Sequence, residues 1–178
     1  MPSLAEARTL GAVQARIERV GVQRVADFEP LWKAMHEHHR SVDPQVHGIP
    51  PRSADESWAI RRPRYETWLA GPGAFALLAL ADGSAVGYAV VSFHDRDDTH
   101  TTGDRFAELH SLAVVPERRG QGIGSGLLRR VYAEVRAQGV EEMMIGVIAT
   151  NDRVRRFYER EGFAPWVVLT LGKVPGPT

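Results

Sequence analysis

The sequence predicts an α/β protein of the α+β type. Its core is a mixed, mostly antiparallel central sheet of six to seven strands, flanked by about four helices. Three observations carry that expectation. Two apolar runs, residues 74–81 and 85–93, flank Asp82-Gly83, the dipeptide of a two-residue hairpin. Two further β-like runs, 106–115 and 143–149, bracket a glycine-rich turn and an amphipathic stretch, which is a βαβ unit and requires a parallel pair. Two stretches in the N-terminal third place their apolar residues at helical spacing or behind a helix-start signal.

The elements follow in order. Residues 16–22 alternate weakly and suit a first strand. Val25, Phe28, Leu31, Trp32 and Met35 share a helical stripe, so residues 24–39 read as a helix. Pro44, Gly48, Pro50 and Pro51 then interrupt the chain. Residues 53–69 form a second helix, with Ser53 and Glu56 as a capping box and Pro63 expected to kink or split it. The hairpin comes next, then a polar loop over 95–104 and the strand 106–115, ended by Pro116. Ile123, Leu127, Val131 and Val135 mark the face of the following helix, and Gly139 closes it. A strand over 143–149, a short helix over 152–161 and a last strand over 166–171 complete the order β-α-α-β-β-β-α-β-α-β. Residues 1–12 read as a frayed leader, 13–173 as one domain and 174–178 as a loose tail.

Composition narrows the function. The 178 residues are 43% hydrophobic and 25% charged, with a formal net charge of zero, which speaks against a dedicated nucleic-acid binder. The absence of cysteine removes disulfides and thiolate chemistry. No apolar run is long enough to cross a bilayer and no signal-peptide core stands at the N-terminus, so a cytoplasmic location is the expectation. Arginine outnumbers lysine by 20 to 2, a bias that a GC-rich genome explains and that phosphate recognition would also use near the glycines.

The most informative stretch is "ERRGQGIGSGLL", residues 117–128, with glycine at 120, 122, 124 and 126 where a helix begins. Glycine costs a helix roughly 1 kcal/mol against alanine. A strand, a glycine-rich turn and a helix start offer unpaired N–H groups and the positive end of a macrodipole, without a Cβ in the way of an oxyanion. The P-loop is excluded because no lysine follows the glycines. The dinucleotide fingerprint G-x-G-x-x-G fails because positions 125 and 127 are Ser and Leu.

Arg119-Gly120-Gln121-Gly122-Ile123-Gly124 resembles the acyl-CoA motif Gln/Arg-x-x-Gly-x-Gly/Ala of the GNAT superfamily, the GCN5-related N-acetyltransferases. The preceding "LAVVPERRG" is similar to that family's entry strand. "ATNDRVRRFYEREGF" resembles its second signature, with Asn151, Tyr158, Gly162 and Phe163 in register. The resemblance covers residues 74–171; the N-terminal third matches only in element order.

The resemblance implies a GNAT fold and an acetyl-CoA-dependent N-acetyltransferase. It implies acyl transfer directly to a primary amine through a tetrahedral intermediate, without a metal. It places the coenzyme A diphosphate on Arg119, Gly120, Gln121, Gly122, Ile123, Gly124 and Ser125. It lays the pantetheine arm along Leu112, Ala113 and Val114, with the Val114 amide facing the thioester carbonyl. Asn151 contacts the arm or caps the last helix. Tyr158 matches the acid that protonates the leaving thiolate. The base is Glu108, His110 or a water; the first two stand two residues apart on one strand. The glutamate base of the ribosomal-protein alanine acetyltransferases falls on Gly146 here, which departs from that branch. A homodimer is the family expectation. A non-catalytic acyl-CoA-binding module is the alternative from another class.

Three other clusters invite a functional reading. "HEHHR", residues 36–40, lacks the second histidine of His-Glu-x-x-His and reads as a polar helix face beside the acceptor cleft. "RRPR", Arg61–Arg64, reads as a solvated helix face. Trp32, Trp58 and Trp68 read as core, or as an aromatic wall for a cationic amine if one is exposed.

Overall fold

The computed structural model describes residues 15–95, 100 and 103–175. The leader over 1–12 and the end of the tail, 176–178, lie outside the described residues.

The chain runs β1 (Arg16–Val20), a 3-10 helix (Val22–Phe28), α1 (Glu29–Ser41), α2 (Ala54–Leu69), β2 (Phe75–Ala81), β3 (Ser84–Asp95), β4 (Arg105–Val114), α3 (Ile123–Arg136), β5 (Met143–Met144) and α4 (Asp152–Arg160). Five strands form one sheet in sequence order. The first four are antiparallel to their neighbours and β5 is parallel to β4, the pairing that the βαβ unit requires.

β2 is apolar throughout because both faces of the sheet are covered. Phe75, Leu77 and Ala79 pack with Leu127 and Val131 of α3, while Ala76 and Leu78 pack with Phe28, Trp32 and Tyr65 on the side of α1 and α2. Each fully buried leucine contributes about 1.5–3 kcal/mol. The β2–β3 turn holds Asp82 at φ +52° and Gly83 at φ +76°, both left-handed, as a hairpin of this type demands. Ser53 and Glu56 form the capping box of α2, and that helix continues unbroken through Pro63. The N-terminal helix divides into a 3-10 part and α1, with Pro30 in the first turn of α1, where its missing N–H is harmless. Among the described residues no helix is long and apolar enough to cross a membrane.

Two departures from the expected sheet shape the molecule. β5 is two residues long instead of seven, pairing only Ala107 with Met143 and Glu108 with Met144. Beyond that point β4 and the chain after Met144 part company. The last expected strand, 166–171, carries no ladder, and Trp166, Val167, Val168, Leu169 and Leu171 are exposed. A strand needs a partner edge as well as β-prone residues. The ladder of β5 ends at Met144, so no long edge is offered to a sixth strand. Among the described residues the sheet therefore has five strands and not six to seven.

β4 also carries a bulge. Ser111 lies opposite Val90 and Leu109 opposite Val91, which leaves His110 without a counterpart. One extra residue reverses the alternation of faces. Ala107 and Leu109 belong to the α3 side before the bulge; after it, Leu112 and Val114 do.

Candidate active site

The parting of β4 from residues 145–148 opens a cleft of about 610 Å3. Its floor is the C-terminal half of β4, one end is the start of α3, one wall comes from α4, and the far wall comes from α1 and α2.

The α3 end is built from backbone. Gly122 is the N-cap at φ +81°, and Gly120 stands at φ +78°. That is the left-handed region, where an L side chain is strained by roughly 1–2 kcal/mol. A Cβ at either position would meet nothing within 4 Å, so conformation rather than crowding demands glycine. No side chain caps the helix and its first turn holds no acidic residue. The helical bonds begin with Gly126 N–H to Gly122 O at 2.9 Å, so the N–H groups of Ile123, Gly124 and Ser125 face outward without a side-chain acceptor. That is an anion site in its simplest form. The Ile123 side chain lies in the core and the Gln121 amide turns back to Glu117 O at 3.2 Å, so both offer the cleft only backbone. Ser125 donates to Glu161 at 2.8 Å.

The floor is set by strand alternation. Val115 N–H donates to Val86 O at 2.9 Å, a hydrogen-bonded pair of the antiparallel ladder. The next such pair is Ala113 with Tyr88. Leu112 and Val114 therefore turn their N–H and C=O groups away from β3, toward the side that β5 has vacated. Ala113 spends its backbone on β3. The Val114 carbonyl accepts from Arg119 Nε at 3.0 Å.

Tyr158 projects from α4 into the cleft and is 5% exposed. Burial raises its pKa, so the phenol stays protonated at physiological pH. Among the described residues its hydroxyl has no hydrogen-bond partner. Asn151 caps α4 through Oδ1 to Val154 N–H at 3.3 Å, and its Nδ2 meets His38 Nε2 at 3.3 Å. Sequence left arm contact and capping both open; the cap is formed, and Asn151 also lines the cleft.

The two candidate bases are brought together at the bulge. His110 Nδ1 lies 3.3 Å from Glu108 Oε1, and His110 Nε2 lies 2.7 Å from Ser92 Oγ. Ser92 Oγ is in turn 3.1 Å from His94 Nε2, which is 2.9 Å from Glu108 Oε2. Four side chains thus close a hydrogen-bonded ring. The His110 bond is the first cause holding the Glu108 carboxyl below the usual carboxylate range. Of the pair, only His110 lines the cleft, its ring stacked 3.5 Å from that of Trp68; Glu108, the more exposed of the two, does not line it. Sequence reasoning missed His94 and Ser92. The register of β3 against β4 joins them to the pair, and no local pattern encodes that register.

α1 and α2 supply the far wall. His38 and His39 line it, while His36 is buried. Burial, then His38, His36 and Arg61, push the His39 imidazole down to about 4, so it is neutral at pH 7. Trp58, Arg61, Tyr65 and Trp68 share one stripe of α2. The Arg61 guanidinium lies 4.3 Å over Trp32, 5.5 Å over Trp68 and 5.7 Å over Tyr65. The expectation of a solvated face fits exposed Arg62 and Arg64 but not Arg61, which is half-buried and lines the cleft. Its spacing from Trp58 and Tyr65 was the signal. The same contact bears on the expected aromatic wall: Trp32 and Trp58 are buried, and the protein's own cation covers Trp32.

Comparison with known proteins places this geometry. A family model described as the acetyltransferase (GNAT) family matches residues 32–163. A mycothiol acetyltransferase of Thermobispora bispora is 30% identical over 115 residues, 63% of this chain. The matched segment spans only 38% of that relative's length. A crystal structure of a GCN5-related N-acetyltransferase from Ralstonia eutropha superposes with a TM-score of 0.71 at 16% identity, over 90% of this chain and 99% of that one. An aminoglycoside N-acetyltransferase in complex with CoA superposes with a TM-score of 0.63 at 20% identity, over 90% and 95%.

Proposed function

The chain belongs to the acetyltransferase (GNAT) family, and from that premise we propose that it transfers an acetyl group from acetyl-CoA directly to a primary amine. The observation that carries this is the uncapped start of α3 facing the same cleft as the outward backbone of Leu112 and Val114. One end suits a diphosphate and the floor suits an extended amide arm. The CoA complex of a structural neighbour is consistent with that fit.

Backbone N–H groups from Gly120 to Ser125 hold the diphosphate, with the positive end of α3 behind them. Arg119, fixed on Val114 O, keeps the loop in place. Leu112 offers its backbone N–H and C=O to the amides of the pantetheine arm. Acetyl-CoA supplies the thioester, and the Val114 N–H faces the oxygen on which negative charge develops.

Amines are mostly protonated at pH 7, so a base is required. The Glu108–His110 pair fills that role, with His110 at the cleft and Glu108 holding its Nδ1. The amine nitrogen bonds to the acyl carbon, the C–S bond breaks, and the amine proton passes to the pair. Tyr158 gives its proton to the departing thiolate. No cysteine is present to carry an acyl group, so transfer is direct.

The test is thiol release from acetyl-CoA across a panel of primary amines, with coenzyme A affinity measured by calorimetry for Gly122→Asn and Gly122→Asp. Both substitutions tolerate the left-handed conformation, so they differ mainly by one negative charge. At least tenfold weaker binding for Asp than for Asn is expected. Equal affinities would remove the diphosphate from this loop.

A further inference from the structure

The cleft has a second charged end that the coenzyme does not account for. Arg118 and Arg119 stand just before α3, and Arg153 and Arg160 on α4, whereas Arg61 lines the opposite wall, on α2. We propose that Arg61 anchors a carboxylate carried by the amine acceptor, so that the acceptor is an amino acid or similar acidic amine and not a polycation. This rests on the acetyltransferase reading above.

The side chain is held, and among the described residues it lacks a counter-ion. On the same helix, Arg62 pairs with Glu66 at 2.9 Å. On α1, Lys33 pairs with Glu29 at 2.7 Å and, across the α1–α2 contact, with Asp55 at 2.6 Å. Among the described residues Arg61 pairs with no carboxylate. The guanidinium lies over the Trp32 ring, with Arg61 Cζ 4.3 Å from its centroid. Among the described residues none of its N–H donors is taken by a carboxylate, a planar acceptor that the guanidinium matches in bidentate fashion.

A second donor stands beside it. Trp32 Nε1 is buried without a hydrogen-bond partner, in a residue 5% exposed that lines the same wall. A buried donor left unpaired costs about 1–3 kcal/mol, and an acceptor oxygen bound at Arg61 would relieve that cost if it also reaches the indole N–H.

The lining charge points the same way. Among the described residues the cleft is lined by five arginines and by no aspartate or glutamate. A polycationic acceptor finds no carboxylate there, and it meets repulsion from Arg61 that low local dielectric strengthens. The aromatic faces that could hold a cation are covered by Arg61 itself. Trp68 touches both Arg61 and His110, so the anchor stands beside the candidate base. An acceptor with its amine and carboxylate a few bonds apart fits that arrangement.

The test uses matched acceptors that differ only in the carboxylate: phenylalanine and phenethylamine, tyrosine and tyramine, histidine and histamine, lysine and cadaverine. Spermidine and kanamycin serve as polycations. Thiol release is followed for the wild type, Arg61→Gln and Arg61→Lys, with acetyl-CoA KM as the control for folding. At least one acid is expected to exceed its decarboxylated partner by tenfold or more in kcat/KM. Arg61→Gln should raise the KM of that acid at least tenfold and leave its partner and acetyl-CoA unchanged, with Arg61→Lys between. Turnover of amines or polycations without preference for the acid overturns the inference and leaves the acetyltransferase reading standing. If no amine turns over, tryptophan fluorescence of the CoA-saturated protein decides. Saturable change with the acids, absent with their partners and lost in Arg61→Gln, supports the anchor while the transfer reading fails; no carboxylate-dependent change overturns it.

Discussion

Arg119 donates through Nε to the Val114 carbonyl at 3.0 Å, tying the glycine loop to the last residue of β4. Val114 turns both backbone groups away from β3. The arginine takes the C=O, and the N–H is left facing the cleft. Removing that clamp exposes a carbonyl oxygen beside developing negative charge and loosens the loop. Arg119→Ala is therefore expected to raise the acetyl-CoA KM about tenfold and to lower kcat, each hydrogen bond to a charged group being worth about 1.5–3 kcal/mol. Unchanged steady-state constants would sink this role.

Tyr158→Phe separates chemistry from stability. The hydroxyl has no partner among the described residues, so its loss leaves no group stranded. A Tm within about 2 °C of wild type is expected, together with a kcat lower by roughly 10²–10⁴, the range for losing a general acid. Because burial raises this pKa, kcat should show no basic limb from Tyr158 below about pH 10. A variant with wild-type kcat would assign the acid elsewhere.

His39 makes stability depend on pH. In the folded protein its imidazole stays neutral down to about 4, against 6.5 when unperturbed. Between those values the unfolded chain binds more protons, so stability is complete above pH 6.5 and falls as pH drops toward 4. Partial exposure reduces the effect to about 2 kcal/mol. His39→Gln should flatten urea-unfolding free energies over that window relative to wild type. Parallel curves for the two proteins would contradict this assignment.

Tyr65 joins α2 to the sheet beneath the bulge. Its hydroxyl meets Tyr88 at 2.9 Å and Ser111 at 2.6 Å, all three buried. Tyr65→Phe takes its partner from the buried Tyr88 hydroxyl, whereas Ser111 keeps its bond to the His110 carbonyl, and the change is expected to cost about 1–3 kcal/mol. Tyr65→Phe combined with Tyr88→Phe should lose less than the sum of the single variants, because the pair shares one bond. Calorimetric Tm values for the set read this out.

The sequence by itself determined what depends on neighbouring residues. Asp82-Gly83 made a hairpin because few residues accept two successive left-handed positions. Ser53 and Glu56 started α2. The stripe of Ile123, Leu127 and Val131 set the buried face of α3. Gly120 and Gly122 marked a loop that only glycine enters without strain. Tertiary structure decided what depends on partners distant in sequence. Whether residues 166–171 become a strand turns on an edge, and β5 offers none past Met144. Glu108 and His110 were legible as a pair, yet the ring through Ser92 and His94 required the register of β3 against β4. Arg61 shares helical spacing with Trp58 and Tyr65, but its place over Trp32 exists only once α2 is laid against α1. Torsional preference and periodicity act over a few bonds, whereas strand register, the width of a cleft and the surroundings of a charge exist only once the chain has closed on itself.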